Sequence, residues 1–363
     1  MKRSILLSII LFTTACAWAQ TTRIANNNPG ATGGVNVFTG ATALQNAINA
    51  SVSGDIIHIV PGTVSNGNVT ITDKSLTILG VGLNPQKGLG TRSLVGDITI
   101  NGTASSGSRI SGVHFLRMLP AISSTVVHTL SNILIENCQF NCVQMLNSNS
   151  NSLGNMIVRN CVINSHQGFS SGPQSFEFTT TSGVLITNNI IRGHHTTAGN
   201  IIGNGLTIQN NIFYGNGTAG YVFINLDNSI VQNNIFARIS GATAPNVANT
   251  GNTFFNNIVF GSADNTFTNG VGGNSSTGDI IADPLLTNVP SNTADWIYTY
   301  DINLLTGSPA INAGLDGTNI GPTGGITPFD PEGTLLPLIE SINMPAVVTK
   351  GVNLQVNVKA KGN

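Results

Sequence analysis

Six ionisable residues stand close together in the chain and have the right types for acid–base chemistry or for holding an anion: Arg159, His166, Glu177, Arg192, His194 and His195. A histidine titrates near neutrality and can serve as base or acid, a carboxyl is its natural counterpart, and a guanidinium grips a carboxylate through two parallel hydrogen bonds. Together they are the minimum for a β-elimination, or for binding an acidic sugar. Their spacing is suggestive: His166 lies six residues after Asn160, and His194 six after Asn188. If one coil of chain separates the two asparagines, the histidines stack near each other. Histidines at the corners of a coil are also ordinary solvated residues, so the spacing alone does not assign them a role.

The elements that would position these residues come from a repeat. The phrases IENCQF (135–140), VRNCVI (158–163), ITNNII (186–191), IQNNIF (208–213), VQNNIF (231–236) and FFNNIV (254–259) recur, with first asparagines at Asn137, Asn160, Asn188, Asn210, Asn233 and Asn256. The intervals are 23, 28, 22, 23 and 23 residues. So regular a period predicts a solenoid. Two places before each first asparagine is an apolar residue (Ile135, Val158, Ile186, Ile208, Val231, Phe254), often with another two before that, which reads as a short strand with one face inward. The Asn-Asn or Asn-Cys pair follows as a corner, because Asn tolerates the left-handed conformation and its amide can bond to the next coil. Three residues after the first Asn an apolar residue returns (Phe140, Ile163, Ile191, Phe213, Phe236, Val259). The long interval holds SHQGFSSGPQ (165–174), expected to loop out and wall a groove. Alternation in Phe176-Glu177-Phe178 puts the rings inward and the carboxyl outward.

Two other solenoids compete and fit less well. Leucine-rich repeats also use an Asn at a similar period, but leucine is sparse at their framework positions here. Left-handed hexapeptide coils require multiples of six, which these intervals are not. The fold class expected is therefore all-β, a parallel β-helix of three-strand coils.

Composition agrees. Only 8% of the 363 residues are charged and 42 are glycine, so polarity must come from Asn, Ser, Thr and Gly at neutral corners and faces. A formal net charge of −1 gives no electrostatic reason to expect nucleic acid or acidic lipid as partner. Residues 1–19 read as a signal peptide: Lys2 and Arg3, an apolar run from Ile5 to Phe12, and Ala17-Trp18-Ala19 before the cut. That run is too short to span a membrane, and no membrane span is expected elsewhere. Cys16 admits a lipoprotein reading, which Thr13-Thr14-Ala15 does not favour. Cys138 and Cys161 fill the second-Asn position in successive copies, and with Cys142 they are expected as buried thiols: stacked side chains point the same way and suit a disulfide poorly.

Upstream, ATALQNAINA (41–50) has Leu44 and Ile48 four apart and predicts a short amphipathic helix that caps the first coil. GDIIHIVPG (54–62), VTI (69–71), LTILGVG (76–82) and DITING (97–102) read as strands. This helix, the stretch GDIIHIVPGTVSNGNVTITDKSLTILGVG and the coils ending in NNIF resemble the opening of secreted bacterial right-handed parallel β-helix proteins of the pectin-lyase-like superfamily. ADPLLTN (282–288), DINLLTGSPAINAG (301–314) and IGPTGG (320–325) resemble the closing coils of such proteins. The resemblance covers about 50–333 and implies a right-handed β-helix and a polysaccharide partner. It leaves activity open, since the superfamily holds lyases, hydrolases, esterases and adhesins.

Residues expected from that resemblance for hydrolysis (Asn-x-Asp, Asp-Asp, Gly-His-Gly, Arg-x-Lys) are absent; Arg192-Gly193-His194-His195 is the nearest fragment. The acidic residues that a calcium-dependent lyase would need are few in the central coils: Glu136, Glu177, Asp227 and Asp264. Glu136, above Arg159, is expected to form a surface ion pair. Asp279 and Asp283 leave calcium possible as a cofactor, though Asp283-Pro284 favours a turn. Residues 20–333 are expected to form the β-helix domain, and 334–363 a tail with a terminal strand at VNLQVNVKA (352–360). The functional expectation is an exported or cell-surface protein that binds polysaccharide through a patch of Arg159, His166, Glu177, Arg192, His194 and His195. The alternatives are a polysaccharide lyase or hydrolase with an atypical site, and an adhesin or structural surface protein.

Overall fold

Each repeat builds one coil, and the coils stack. A computed structural model describes residues 20–84, 91–120, 129–145, 152–164, 175–178, 181–192, 201–214, 222–237, 246–247, 250–261, 272–289, 295–331, 338–343 and 356–361. A coil such as that of Ile157–Arg159, Val162–Asn164 and Phe176–Phe178 gives one strand to each of three sheets, called first, second and third below. They contain twelve, seven and eight strands. Pairing is parallel and in register: Ile135 meets Val158, then Ile186, Ile208 and Val231 in successive coils. The fold is an all-β parallel β-helix.

The two apolar columns read from the sequence line the lumen. From Ile135 to Phe254 and from Phe140 to Val259, none of the twelve residues is more than 1% exposed. Phe213 and Phe236 stack with centroids 4.8 Å apart, which matches the rise between coils of about 4.8 Å. Phe176 and Phe178 point inward with Glu177 between them, as the alternation required.

At each corner the two asparagines divide the work. The first takes the left-handed conformation, with φ between 48° and 56° from Asn137 to Asn256. The second builds a buried ladder. The backbone N–H and Nδ2 of Asn189 both donate to Asn211 Oδ1, at 2.9 and 3.0 Å, and Asn211 repeats this to Asn234, Asn234 to Asn257, and Asn257 to Asp279. Cys161 and Cys138 continue it upward with free, buried thiols. Asp279 is thus the last rung of the ladder, where a calcium contact had been possible; Asp283 makes the expected turn, accepting from the Leu285 N–H at 2.9 Å. Two further copies of the repeat surface at the ends, ISGVHF (110–115) and TGDII (277–281), with Gly112 and Gly278 replacing the first Asn at positive φ.

Burial raises the Asp279 carboxyl above its ordinary range, against hydrogen bonds from Ser276 and Asn257 that lower it. The folded state therefore binds this proton more tightly than the unfolded chain, so the ionised group costs stability at neutral pH, and that cost vanishes below the unfolded pKa. Asp279→Asn keeps the Oδ1 acceptor and removes the charge. It should raise stability at neutral pH by on the order of 0.5 kcal/mol, with the gain shrinking toward zero in acid, as followed by thermal unfolding across pH.

A second left-handed column stands five residues before the first: Asn132, Asn155, Gly183, Gly205, Asn228 and Gly251, with φ from 48° to 71°. It turns the chain into the first sheet. At Gly183 a Cβ would meet Asn155 Oδ1 at 2.6 Å, so the smaller residue is needed there as well as the positive φ.

The N-terminal end is capped as expected. The helix α1 (Ala43–Ala50) buries Ala43, Leu44, Ala47 and Ile48 on the first coil. Gln45 pairs with the free edge of Val69–Thr72, accepting from the Thr70 N–H at 2.8 Å and donating to its carbonyl at 3.1 Å. Lys74 Nζ donates to the Ile48 and Ser51 carbonyls at the helix C-terminus. The edge is thereby closed to other strands.

The closing segment corrects the sequence reading. Residues 283–289 and 295–330 do not add coils. They form a strap that leaves the stack and runs back along its outside. A short antiparallel pair, Leu286–Asn288 with Asp301–Leu304, anchors its base. Val289, Trp296, Ile302, Ala310, Ile320 and Phe329 of the strap form a second core with Val162, Ile190, Ile212, Ile235 and Ile258 on the outer face of the second sheet. That sheet is buried on both faces. The first asparagines hold the strap's final pass: Asn256 Nδ2 donates to Ala313 O, Asn233 Oδ1 accepts from Leu315 N, and Asn188 Nδ2 donates to Pro322 O and Gly324 O at 3.1 and 2.7 Å.

In the tail, Leu338–Asn343 and Asn357–Lys361 pair as an antiparallel hairpin, so the terminal strand has a partner of its own; residues 352–355 of the expected strand lie outside the described residues. Residues 1–19, with Cys16, are also outside them. Among the described residues no helix is long and apolar enough to cross a membrane.

Candidate functional site

The sequence patch is dispersed over the coil. Arg159 lies in the first sheet, Arg192 in the second and Glu177 in the third. Strand directions change at each corner, so nearness along the chain does not bring these three side chains onto one face. His166, His194 and His195 lie outside the described residues. Arg192 is buried under the strap, where it ion-pairs with Asp295 beside Tyr214 and Trp296. It locks the strap down. Glu177 stands on the outer row of the third sheet and accepts from Gln144 at 3.1 Å; burial raises its carboxyl above the ordinary range, with Gln144 opposing.

Arg159 occupies a different site. Glu136, expected at the surface, is only 3% exposed and sits between two arginines. Its Oε2 accepts from Arg159 Nε and Nη2 at 2.9 and 2.6 Å, and its Oε1 from Arg109 Nε at 2.7 Å and from Arg109 Nη2. Burial would raise this carboxyl, but the hydrogen bonds from Arg159 and Arg109 outweigh it and hold it below its ordinary range. The folded state thus binds this proton less tightly, so the stability it contributes is present above the unfolded pKa and is lost as pH falls through the lowered one. The arrangement orients both guanidinium groups, each against one oxygen of the carboxylate.

Beyond Arg159 the outer row of the first sheet continues as Thr187, Gln209 and Gln232, one side chain per coil. The strap stands beside this row as a wall. Two adjoining clefts lie between them. One, of about 210 Å³, is lined by Ile157, Arg159, Leu185, Thr187, Asn188 and Gln209, with Ile326 and Thr327 of the strap. The next, of about 240 Å³, is lined by Gln209, Asn210, Gln232 and Asn233, with Leu315, Asp316, Gly325 and Ile326. Gln209 on the floor and Ile326 on the rim belong to both clefts, which therefore form one groove running along the stack.

The groove has the chemistry of a binding surface. Gln232 Nε2 donates to Gln209 Oε1 at 2.9 Å, which leaves the Gln209 amide N–H groups and the Gln232 carbonyl oxygen facing outward. Of the two charged residues lining it, Arg159 is held by Glu136, and Asp316 is kept below the ordinary carboxylate range: burial would raise it, but hydrogen bonds from the Thr318 hydroxyl and N–H prevail. Each charged group of the groove is thus already engaged by the protein. No group of three His, Cys, Asp or Glu that could hold a metal ion occurs among the described residues.

No protein-family model matches the chain, and no curated protein matches it. Among solved structures it is similar to one described as a crystal structure of pectate lyase Pel9A, at 13% identity and a TM-score of 0.44, covering 84% of this chain and 96% of that one. So distant a likeness carries no argument, and the course of the chain rests on the strand pairing above.

The sequence reading missed the groove because one wall is the strap. A signal for the strap was present: from the second copy on, the residues just after the corner come as apolar pairs, Val162-Ile163, Ile190-Ile191, Ile212-Phe213, Ile235-Phe236 and Ile258-Val259. A strand apolar on both faces is covered on both faces.

Proposed function

We propose that this is an exported β-helix protein, secreted or held at the cell surface, that binds polysaccharide along the groove between its first sheet and its strap, without cleaving it. One observation carries the reading: the two clefts share Gln209 and Ile326 and so offer a ligand a continuous bed across successive coils. The rise between coils, about 4.8 Å, is close to the advance per sugar of an extended glycan. A polymer lying along the stack would meet an equivalent side chain at each step.

The test is retention of the full chain on a panel of immobilised polysaccharides, neutral and acidic, with and without calcium, while the soluble phase is assayed for unsaturated-uronate absorbance and new reducing ends. Retention without turnover supports the reading. Turnover would favour a lyase or hydrolase instead, with Glu177 and its raised carboxyl as the first residue to replace. Retention on no polymer at all would end the polysaccharide assignment.

A further inference from the structure

Resting on that reading, we infer that the ligand of the groove is an uncharged glycan, bound through hydroxyl–amide hydrogen bonds on one side and through its C–H face on the aliphatic side chains of the other. The charges lining the groove are one guanidinium and one carboxylate, at opposite ends, and each has an internal partner in Glu136 or Thr318. Between them the floor is Thr187, Gln209 and Gln232. An acidic polymer carrying a carboxylate on every sugar would set its charges over neutral amides and bring one against Asp316, with no further cation among the described lining residues to receive the rest. Uncharged sugars have no such conflict.

The amide pair suits hydroxyl groups. With Gln232 donating to Gln209, the dyad presents a donor at one end and an acceptor at the other, and each strengthens the other through the bond between them. A sugar hydroxyl both donates and accepts, so adjacent hydroxyls on one edge of the polymer can satisfy both. The other half of the bed is apolar: Ile157 and Leu185 on the floor, and Leu315 and Ile326 on the strap. Ile326 is 98% exposed, more than any other large apolar side chain among the described residues. It stands on the rim where the two clefts meet, and nothing in the fold uses it. Covering it with a sugar ring would remove apolar surface from water.

The experiment is affinity electrophoresis and calorimetry on the full chain, with hydroxyethyl cellulose as the uncharged β-linked glycan and polygalacturonate as the acidic one, at low and high salt. Hydroxyethyl cellulose should bind with an affinity that salt does not change, since no charge pairing is involved. The double variant Gln209→Ala/Gln232→Ala should weaken it about tenfold, the loss of one to two hydrogen bonds. Ile326→Ala should weaken it several-fold and Ile326→Trp tighten it, and neither can unfold the protein, because the side chain makes no internal contact to lose. Binding of polygalacturonate alone, falling with salt, would overturn this inference and leave the polysaccharide reading standing. Binding of hydroxyethyl cellulose that ignores all of these substitutions would also overturn it, by placing the site elsewhere. Failure of both polymers would count against both readings.

Discussion

Replacing Asn211 with alanine should destabilise the β-helix by roughly 4 kcal/mol, far more than a polar-to-alanine change at a surface. The residue is fully buried and spends its whole amide. Oδ1 accepts from the N–H and Nδ2 of Asn189, while Nδ2 donates to Asn234 Oδ1 and to the carbonyls of Ile186 and Gln209 at 2.9 Å each. Alanine takes the acceptor from two donors of Asn189 and the side-chain donor from the Ile186 carbonyl, while Asn234 Oδ1 keeps the Asn211 N–H and the Gln209 carbonyl keeps the Asn188 N–H. Each orphaned buried group costs about 1–3 kcal/mol. Relaxation and entry of water recover part of the sum. The chain itself supplies a milder case: at Cys161 the thiol takes the rung, accepting from Cys138 N at 3.5 Å and lying 3.1 Å from the Arg159 carbonyl. Asn211→Cys should therefore cost less than Asn211→Ala. Equilibrium urea unfolding of the three proteins decides it, read at the coil level because stacked repeats need not unfold in a single step. A loss below about 1 kcal/mol for the alanine variant would show that the ladder is decoration on a fold held by its aliphatic columns.

Trp296→Ala should release the strap and, with it, the groove. Trp296 is 3% exposed in the second core, edge-on to Tyr214 at 5.9 Å and to Tyr300 at 5.4 Å between ring centroids. Truncating a buried tryptophan costs about 3–5 kcal/mol. Among the described residues its indole N–H has no acceptor, so the loss is one of packing, and Trp296→Phe should keep most of the stability. The neighbouring locks are few: Arg192 with Asp295, Trp296 N to Asn164 Oδ1 at 3.2 Å, and the Tyr298 hydroxyl to Gln139 Oε1 at 2.8 Å. Limited proteolysis of the alanine variant should cut within 283–330 while the coils remain resistant, and polysaccharide retention should fall in parallel. Unchanged resistance of the strap would mean that its final pass, bonded to the corner asparagines, holds without the aromatic cluster.

These two substitutions separate the two kinds of information in the chain. The ladder belongs to the repeat, in which each residue's main partner is the equivalent residue one coil away, about 23 positions along. A period in the sequence is then the same thing as a contact in space, and so the lumen columns, the corner, the Cys-for-Asn rungs and the capping helix could all be read from residue types. The readable pattern was wider than the six phrases. Gly112 and Gly278 extend it at both ends, and the Asn/Gly column from Asn132 to Gly251 marks the second corner at a constant offset of five. Glu136 shows where the reading became too local: its column suggested one pairing with Arg159, and only the fold brings Arg109 to its other oxygen and closes it from solvent.

The site was less legible. Arg159, Glu177 and Arg192 are close along the chain, yet three sheets carry them apart around the coil, because the repeat fixes a residue's height in the stack while the corners fix its direction. The strap had no period to betray its place. Asn188 meets Gly324 across 136 residues, Arg192 meets Asp295 across 103, and Gln139 meets Tyr298 across 159. The sequence by itself determined the coil, its corners and its apolar lumen, since those follow from contacts between neighbours in a repeat. Only the tertiary structure decided that the chain folds back over its own second sheet and walls a groove on the first, since that depends on matching two surfaces that no local pattern relates.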